Sequence, residues 1–199
     1  MDVDEVWHTI EVERAALAAL LRRLTPEQWA SPSACTGWVV GDVAAHVIAH
    51  PQIRWRELPG AAWRGRGRFN SMTFLDGKRR GEQPRERILA DYERLAGSRR
   101  LAPFTTPAEA LVDILVHTQD IARPLGIDHP MPPKAAAVAA TRTVKYAWVF
   151  GTRDLLRTKR LVATDVEWSH GSGPEVRAPI AELLMLTTGR DGRISVSGV

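Results

Sequence analysis

Three ionisable side chains sit where an apolar helix would be expected. From Leu111 to Gly126 the chain reads LVDILVHTQDIARPLG. That run is too apolar for a surface helix and suits one buried on most sides of a bundle. Asp113, His117 and Asp120 nevertheless stand inside it. Asp113 and His117 are four residues apart, so a helix stacks them on one face, about 6 Å apart at Cβ. A buried carboxylate is costly unless it is paired or coordinated, and a metal ion is one way to compensate it. A second pair at the same spacing, His46 and His50, lies in VVGDVAAHVIAHPQ. Pro51 follows His50 directly, so the helix kinks or restarts there and His46 is the better fixed of the two. Two imidazoles and one carboxylate from two helices (His46, Asp113, His117) suit a divalent metal with open positions for water or substrate. The other reading of the same spacing is a hydrogen-bonded histidine and an Asp–His pair that satisfies itself.

The elements that must position these groups follow from periodicity. Asp4 to Leu24 reads as a first helix, with Val6, Ile10, Leu17, Leu20, Leu21 and Leu24 on one side. TPEQWASPSACTGW reads as a structured loop that Trp29 and Trp38 anchor. Val39 to Leu58 reads as a second helix, Pro84 to Arg99 as a third, and the Asp113/His117 stretch, opened by Thr106-Pro107, as a fourth. Pro59 to Gly81 holds five glycines and reads as a loop with at most a short helix near Ser71 to Leu75. Four helices with one longer crossover make a four-helix bundle, a fold whose sites are built on facing helices. Beyond the linker IDHPMPP, Lys134 to Phe150 reads as a helix with Ala139, Val144, Trp148 and Val149 inward. Then come a strand-like Leu161 to Trp168, a turn at HGSGP, a short helix from Pro179 to Thr188 and an edge strand at Arg193 to Val196. The expected division is residues 1–128 as a metal-binding bundle and 129–199 as a linker helix with a small α+β domain.

Composition narrows the function. The net charge is +4, with basic residues scattered among acids, so no nucleic-acid partner is expected. The one dense basic run, Trp63 to Arg68 (WRGRGR), reads either as a solvated loop or as an anion site. Cys35 is the single cysteine, which excludes an intramolecular disulfide and a thiolate metal cage. The opening MDVDEVW lacks the layout of a signal peptide, and no run of 18 apolar residues occurs. A cytoplasmic protein without a membrane partner is the expectation.

The segment CTGWVVGDVAAHVIAH resembles the entry to the second helix in the DinB-like superfamily, and within it the mycothiol-dependent maleylpyruvate isomerase family. The residues that carry the likeness are Gly37, Trp38, Asp42 and His46, then Asp113, His117, Asp120 and Arg123. The tail LVATDVEWSHGSGPEVRAPIAELLMLTTGR is similar to the family's C-terminal domain. The resemblance implies a mainly α fold: a DinB-like four-helix bundle followed by a small α+β C-terminal domain. It implies a divalent metal such as zinc, held by His46, Asp113 and His117. The family's carboxylate is commonly Glu; Asp113 is one methylene shorter, which leaves His50 as a possible further ligand.

The chemistry so implied is metal activation of the thiol of mycothiol, a cosubstrate. Its thiolate attacks a small-molecule electrophile, giving isomerisation or S-transfer. Asp120, as the partner that orients His117, and Arg190, as an anion holder, become the catalytic candidates. Arg123 and Arg177 become cofactor-binding candidates. A monomer or homodimer is expected. Cys35, in a loop with no base beside it in sequence, is not needed as a nucleophile. Two other readings stand beside this one. One is a non-catalytic DinB-like stress protein that binds metal or ligand. The other is a carrier of an apolar ligand, with Trp55, Trp63 and Phe74 near the cleft mouth.

Overall fold

A computed structural model describes residues 1–191 of the chain; the expected strand at Arg193 to Val196 lies outside the described residues. Two compact units emerge, Trp7–His129 in one, and Met1–Val6 with the residues from Pro130 onward in the other. The fold is mainly helical with one three-stranded sheet. Among the described residues no helix is long and apolar enough to cross a membrane.

Helix α1 (Val3–Arg23) opens with a reciprocal cap, in which Glu5 N–H donates to Asp2 and Asp2 N–H to Glu5. It buries Ile10, Leu17 and Leu21 completely. The following loop carries a short helix α2 (Pro26–Trp29), capped by Thr25 and Gln28, and a bridge between Pro32 and Val39. Helix α3 (Val40–Ala49) is interior at every position except His46. Its first backbone N–H group outside the helix, that of Val39, donates to Asp42 Oδ2 at 3.0 Å. Helices α6 (Arg85–Leu95) and α7 (Pro107–Ala122) belong to the same unit. Tyr92 on α6 donates its hydroxyl to Ala44 O of α3 at 2.9 Å, while Arg85 donates to the carbonyls of Leu21 and Arg22 at the end of α1. In α7, Pro107 at the first position and a Thr106/Glu109 capping box set the start.

Two expectations needed correction here. The second helix does not run to Leu58. It stops at Ala49, and His50–Gln52 and Trp55–Glu57 form 3-10 turns. Pro51 removes a donor and clashes with the preceding turn, which ends α-geometry at that point. The glycine-rich crossover is not a loop: it folds as α4 (Leu58–Arg64) and α5 (Phe69–Gly81). Its glycines are packing positions. A Cβ on Gly77 would stand 2.3 Å from the Trp38 ring, and one on Gly81 would strike Asp42, so their absence lets α5 lie against α3. Helix propensity gave way to close helix approach.

In the other unit, α8 (Pro133–Thr143) and α11 (Ile180–Thr187) share a buried hydrogen bond between Thr143 and Thr187. The expected helix through Phe150 is broken by a 3-10 turn at Val144–Tyr146 before α9 (Ala147–Phe150). That turn rotates the following face, and Trp148, expected inside, is 62% exposed. After α10 (Arg153–Thr158) the sheet has the order β2-β1-β3. Strand β1 (Arg160–Ala163) pairs antiparallel with β2 (Ser169–Gly171) and parallel with β3 (Glu175–Ala178). The expected strand to Trp168 thus ends at Ala163. His170 and Gly171 belong to β2 rather than to a turn.

Candidate metal centre

The apolar faces of α3 and α7 place His46 and Asp113/His117 opposite each other. His46 Nε2 lies 3.3 Å from Asp113 Oδ1, and His117 Nε2 lies 3.4 Å from the same oxygen. The three donor atoms fall within 4.8 Å of one another. Donors about 2.0–2.1 Å from a tetrahedral zinc are spaced about 3.3–3.4 Å apart, and the two separations to Asp113 Oδ1 match that spacing. The three are partly exposed, which leaves one side of the set open.

A second set of contacts fixes the ring of His117. Its Nδ1 lies 2.8 Å from Oδ2 of Asp120, a residue with no exposed surface. That holds one proton on Nδ1 and turns Nε2 toward Asp113 and His46. Cys35 Sγ donates to the same Asp120 oxygen at 3.1 Å and lies 3.6 Å from His117 Nδ1. Sequence reasoning left Cys35 without a neighbour because its partners are 82 and 85 residues away. The loop is held there by the Ala34 N–H, which donates to Asp120 O at 2.9 Å.

Electrostatics bind the couple tightly. Burial works against charge on Asp113, but attraction to His46 and hydrogen bonds from both histidines hold its carboxyl well below the ordinary 3.8. Burial likewise opposes a charged His117, and hydrogen bonds to Asp113, Asp120 and Cys35 outweigh it, raising its pKa well above 6.5.

The ring of Trp38 roofs the set. Its centroid is 5.1 Å from that of His46 and 6.3 Å from that of His117, and it stacks on Phe74 at 6.3 Å. Trp38 Nε1 is buried with no hydrogen-bond partner among the described residues.

The other expected residues stand as follows. His50 is not among the residues whose donor atoms converge with His46, Asp113 and His117. Its Nδ1 is buried with no hydrogen-bond partner among the described residues, and burial lowers its pKa, so it is neutral at neutral pH. Arg123 donates from Nε to Gln119 Oε1 at 2.9 Å. Arg177 and Arg190 belong to the other unit. Arg177 pairs with Glu175 at 2.8 Å, and Arg190 donates to Thr188 O at 3.0 Å.

The crystal structure of the mycothiol-dependent maleylpyruvate isomerase is similar over 100% of this chain and 95% of that one, with a TM-score of 0.66 at 11% identity. A histidine-to-alanine mutant of that enzyme matches over the same shares, with a TM-score of 0.65 at 12% identity. At such identity the likeness establishes the fold. No curated protein sequence matches the chain. The family model described as the mycothiol maleylpyruvate isomerase N-terminal domain matches residues 10–110, which takes in His46 and the crossover helices and stops just before Asp113. The chain, with its opposed histidines and its bundle, therefore belongs to the mycothiol maleylpyruvate isomerase family.

Proposed function

We propose that the chain is a metal- and mycothiol-dependent enzyme acting on a small-molecule electrophile, as an isomerase or a thiol S-transferase. One observation carries this reading: in a chain of this family, two imidazoles and a carboxylate converge on one point at the spacing of a tetrahedral site. His46, Asp113 and His117 would hold a divalent cation, zinc being the ion whose geometry the spacing fits. A bound cation supplies Lewis acidity that lowers the pKa of a thiol sharing its coordination sphere.

The chain's own residues do the rest. Asp120 keeps the Nδ1 proton of His117 in place, so that Nε2 stays available as a donor. Trp38 and Phe74 wall one side and exclude water there. A low-molecular-weight thiol brings the nucleophile, so Cys35 stays a hydrogen-bond donor to Asp120. Arg190 and Arg177 remain proposed holders of an anionic substrate or cosubstrate, and Arg123 of the cofactor.

The test has two stages. Purified protein is expected to carry about one divalent ion per chain, lost in the H46A/H117A variant. Metal-loaded protein is then expected to consume or isomerise an electrophile with mycothiol and not with other low-molecular-weight thiols. Metal content unchanged in the double variant, or turnover indifferent to the thiol, would overturn the reading.

A further inference from the structure

Three arginines of the crossover face one cavity and lack the partners that their neighbours have. The cavity, about 550 Å³, is lined by Arg64, Arg66 and Arg68 with Asn70 and Ser71, over a floor of Phe74 and Leu75. In the same segment Lys78 pairs with Asp42, Arg79 with Asp76, and Arg80 with both Asp76 and Glu57. Among the described residues no carboxylate lies within ion-pairing distance of Arg64, Arg66 or Arg68. Three like charges line one cavity without an ion-pair partner among the described residues, while three more nearby are neutralised.

The backbone holds this arrangement at a cost. After α4, Arg66 N–H donates to Trp63 O and Gly67 N–H to Ala62 O, a Schellman ending in which Arg66 occupies the left-handed position, φ 51°. Glycine is the usual occupant of that position, and glycines stand on both sides of Arg66, yet the strained site carries the arginine. Gly65 is buried so tightly against Met72 that a Cβ would stand 2.8 Å from the Met72 backbone nitrogen, which fixes the loop. One residue links the cavity to the site already described: Phe74, in its lining, stacks on Trp38, which stands against His46.

We infer that this cavity is a binding site for a small organic anion, a carboxylate or phosphate joined to a flat apolar body. The arginines would take the acid group through charge-assisted, bidentate hydrogen bonds, and Phe74 with Leu75 would take the body. The binding needs no cation and does not rest on the proposed metal chemistry.

The experiment is a calorimetric titration of chelator-treated protein with three probes: benzoate, inorganic phosphate and benzyl alcohol. Benzoate is expected to bind, phosphate to bind more weakly, and benzyl alcohol to give no heat. The triple variant R64A/R66A/R68A is expected to lose at least about tenfold in benzoate affinity. F74A is expected to weaken benzoate and spare phosphate. R66G keeps the protein folded whatever the triple variant does: it is expected to be as stable as the parent or more so, and to bind benzoate more weakly. NMR shifts on adding benzoate are expected at residues 64–75. No benzoate binding, undiminished binding in R64A/R66A/R68A or R66G, or shifts confined elsewhere would each overturn the inference. So would adsorption to anionic phospholipid vesicles without benzoate binding. Because the metal is removed throughout, failure here leaves the metal reading standing, and loss of metal in H46A/H117A leaves this one standing.

Discussion

His117 and Asp120, one turn apart on α7, meet through Nδ1 and Oδ2 at 2.8 Å, and Cys35 donates to that same carboxylate oxygen. The contact fixes which nitrogen of His117 carries the proton and hence which faces Asp113. D120N is therefore expected to weaken zinc affinity about 10–100-fold, a typical cost of losing such a partner. C35A is expected to cost less than D120N, and C35S, which keeps a donor, less again. Competition titration with a chromogenic chelator measures all three. Equal affinity in D120N and the parent would show that Asp120 serves only packing.

Acidity acts on the Asp113–His117 couple from both ends. The stabilisation from charged His117 is complete below about 6.5 and is lost as pH rises through its raised folded-state pKa. That from ionised Asp113 is complete above about 3.8 and is lost as pH falls through its depressed folded-state pKa. In chelator-treated protein both contributions are whole only between those values. The thermal midpoint is expected to fall in the parent as pH rises above about 6.5, and to fall less in H117N. Zinc competes with the His117 proton, so its affinity is expected to rise with pH over the same range. Parallel midpoint curves for the parent and H117N would contradict this assignment.

Trp38 reports on the site optically. With its ring centroid 5.1 Å from that of His46, it is the tryptophan that a bound Co(II) or Ni(II) ion is expected to quench. W38F is expected to abolish most of that quenching although six other tryptophans remain. Quenching that survives in W38F would place the ion elsewhere.

Helix α5 can be tested at its contact with Trp38. G77A puts a methyl where 2.3 Å is available, an overpacking expected to cost about 1–3 kcal/mol. Denaturant unfolding measures it. The nearby G67A meets nothing within 4 Å, so its cost comes from the positive φ alone and is expected to be smaller.

The sequence made the i, i+4 couple of Asp113 and His117 readable because the helical period alone puts them on one face. His46 was readable for the same reason, and the resemblance of Gly37, Trp38 and His46 to a known family reinforced it. Cys35 was not, because proximity across more than 80 residues is a product of tertiary folding. The crossover helices were hidden by their glycines: Gly77 and Gly81 read as breakers, whereas in the fold they are the places where α5 meets Trp38 and Asp42. Trp148 was misplaced because a single 3-10 turn shifted the phase of the helix after it, an effect that no local pattern announces.

In α3 every side chain but one is committed to the interior, and the exception is the imidazole of His46. Scaffold and reactivity are thus written in separate letters of the same ten-residue word. A descendant could exchange that one letter, lose the convergence of donors, and still fold as a sound bundle. Relatives without the donor set would then keep the architecture intact and be recognised by the identity of a single partly wet side chain.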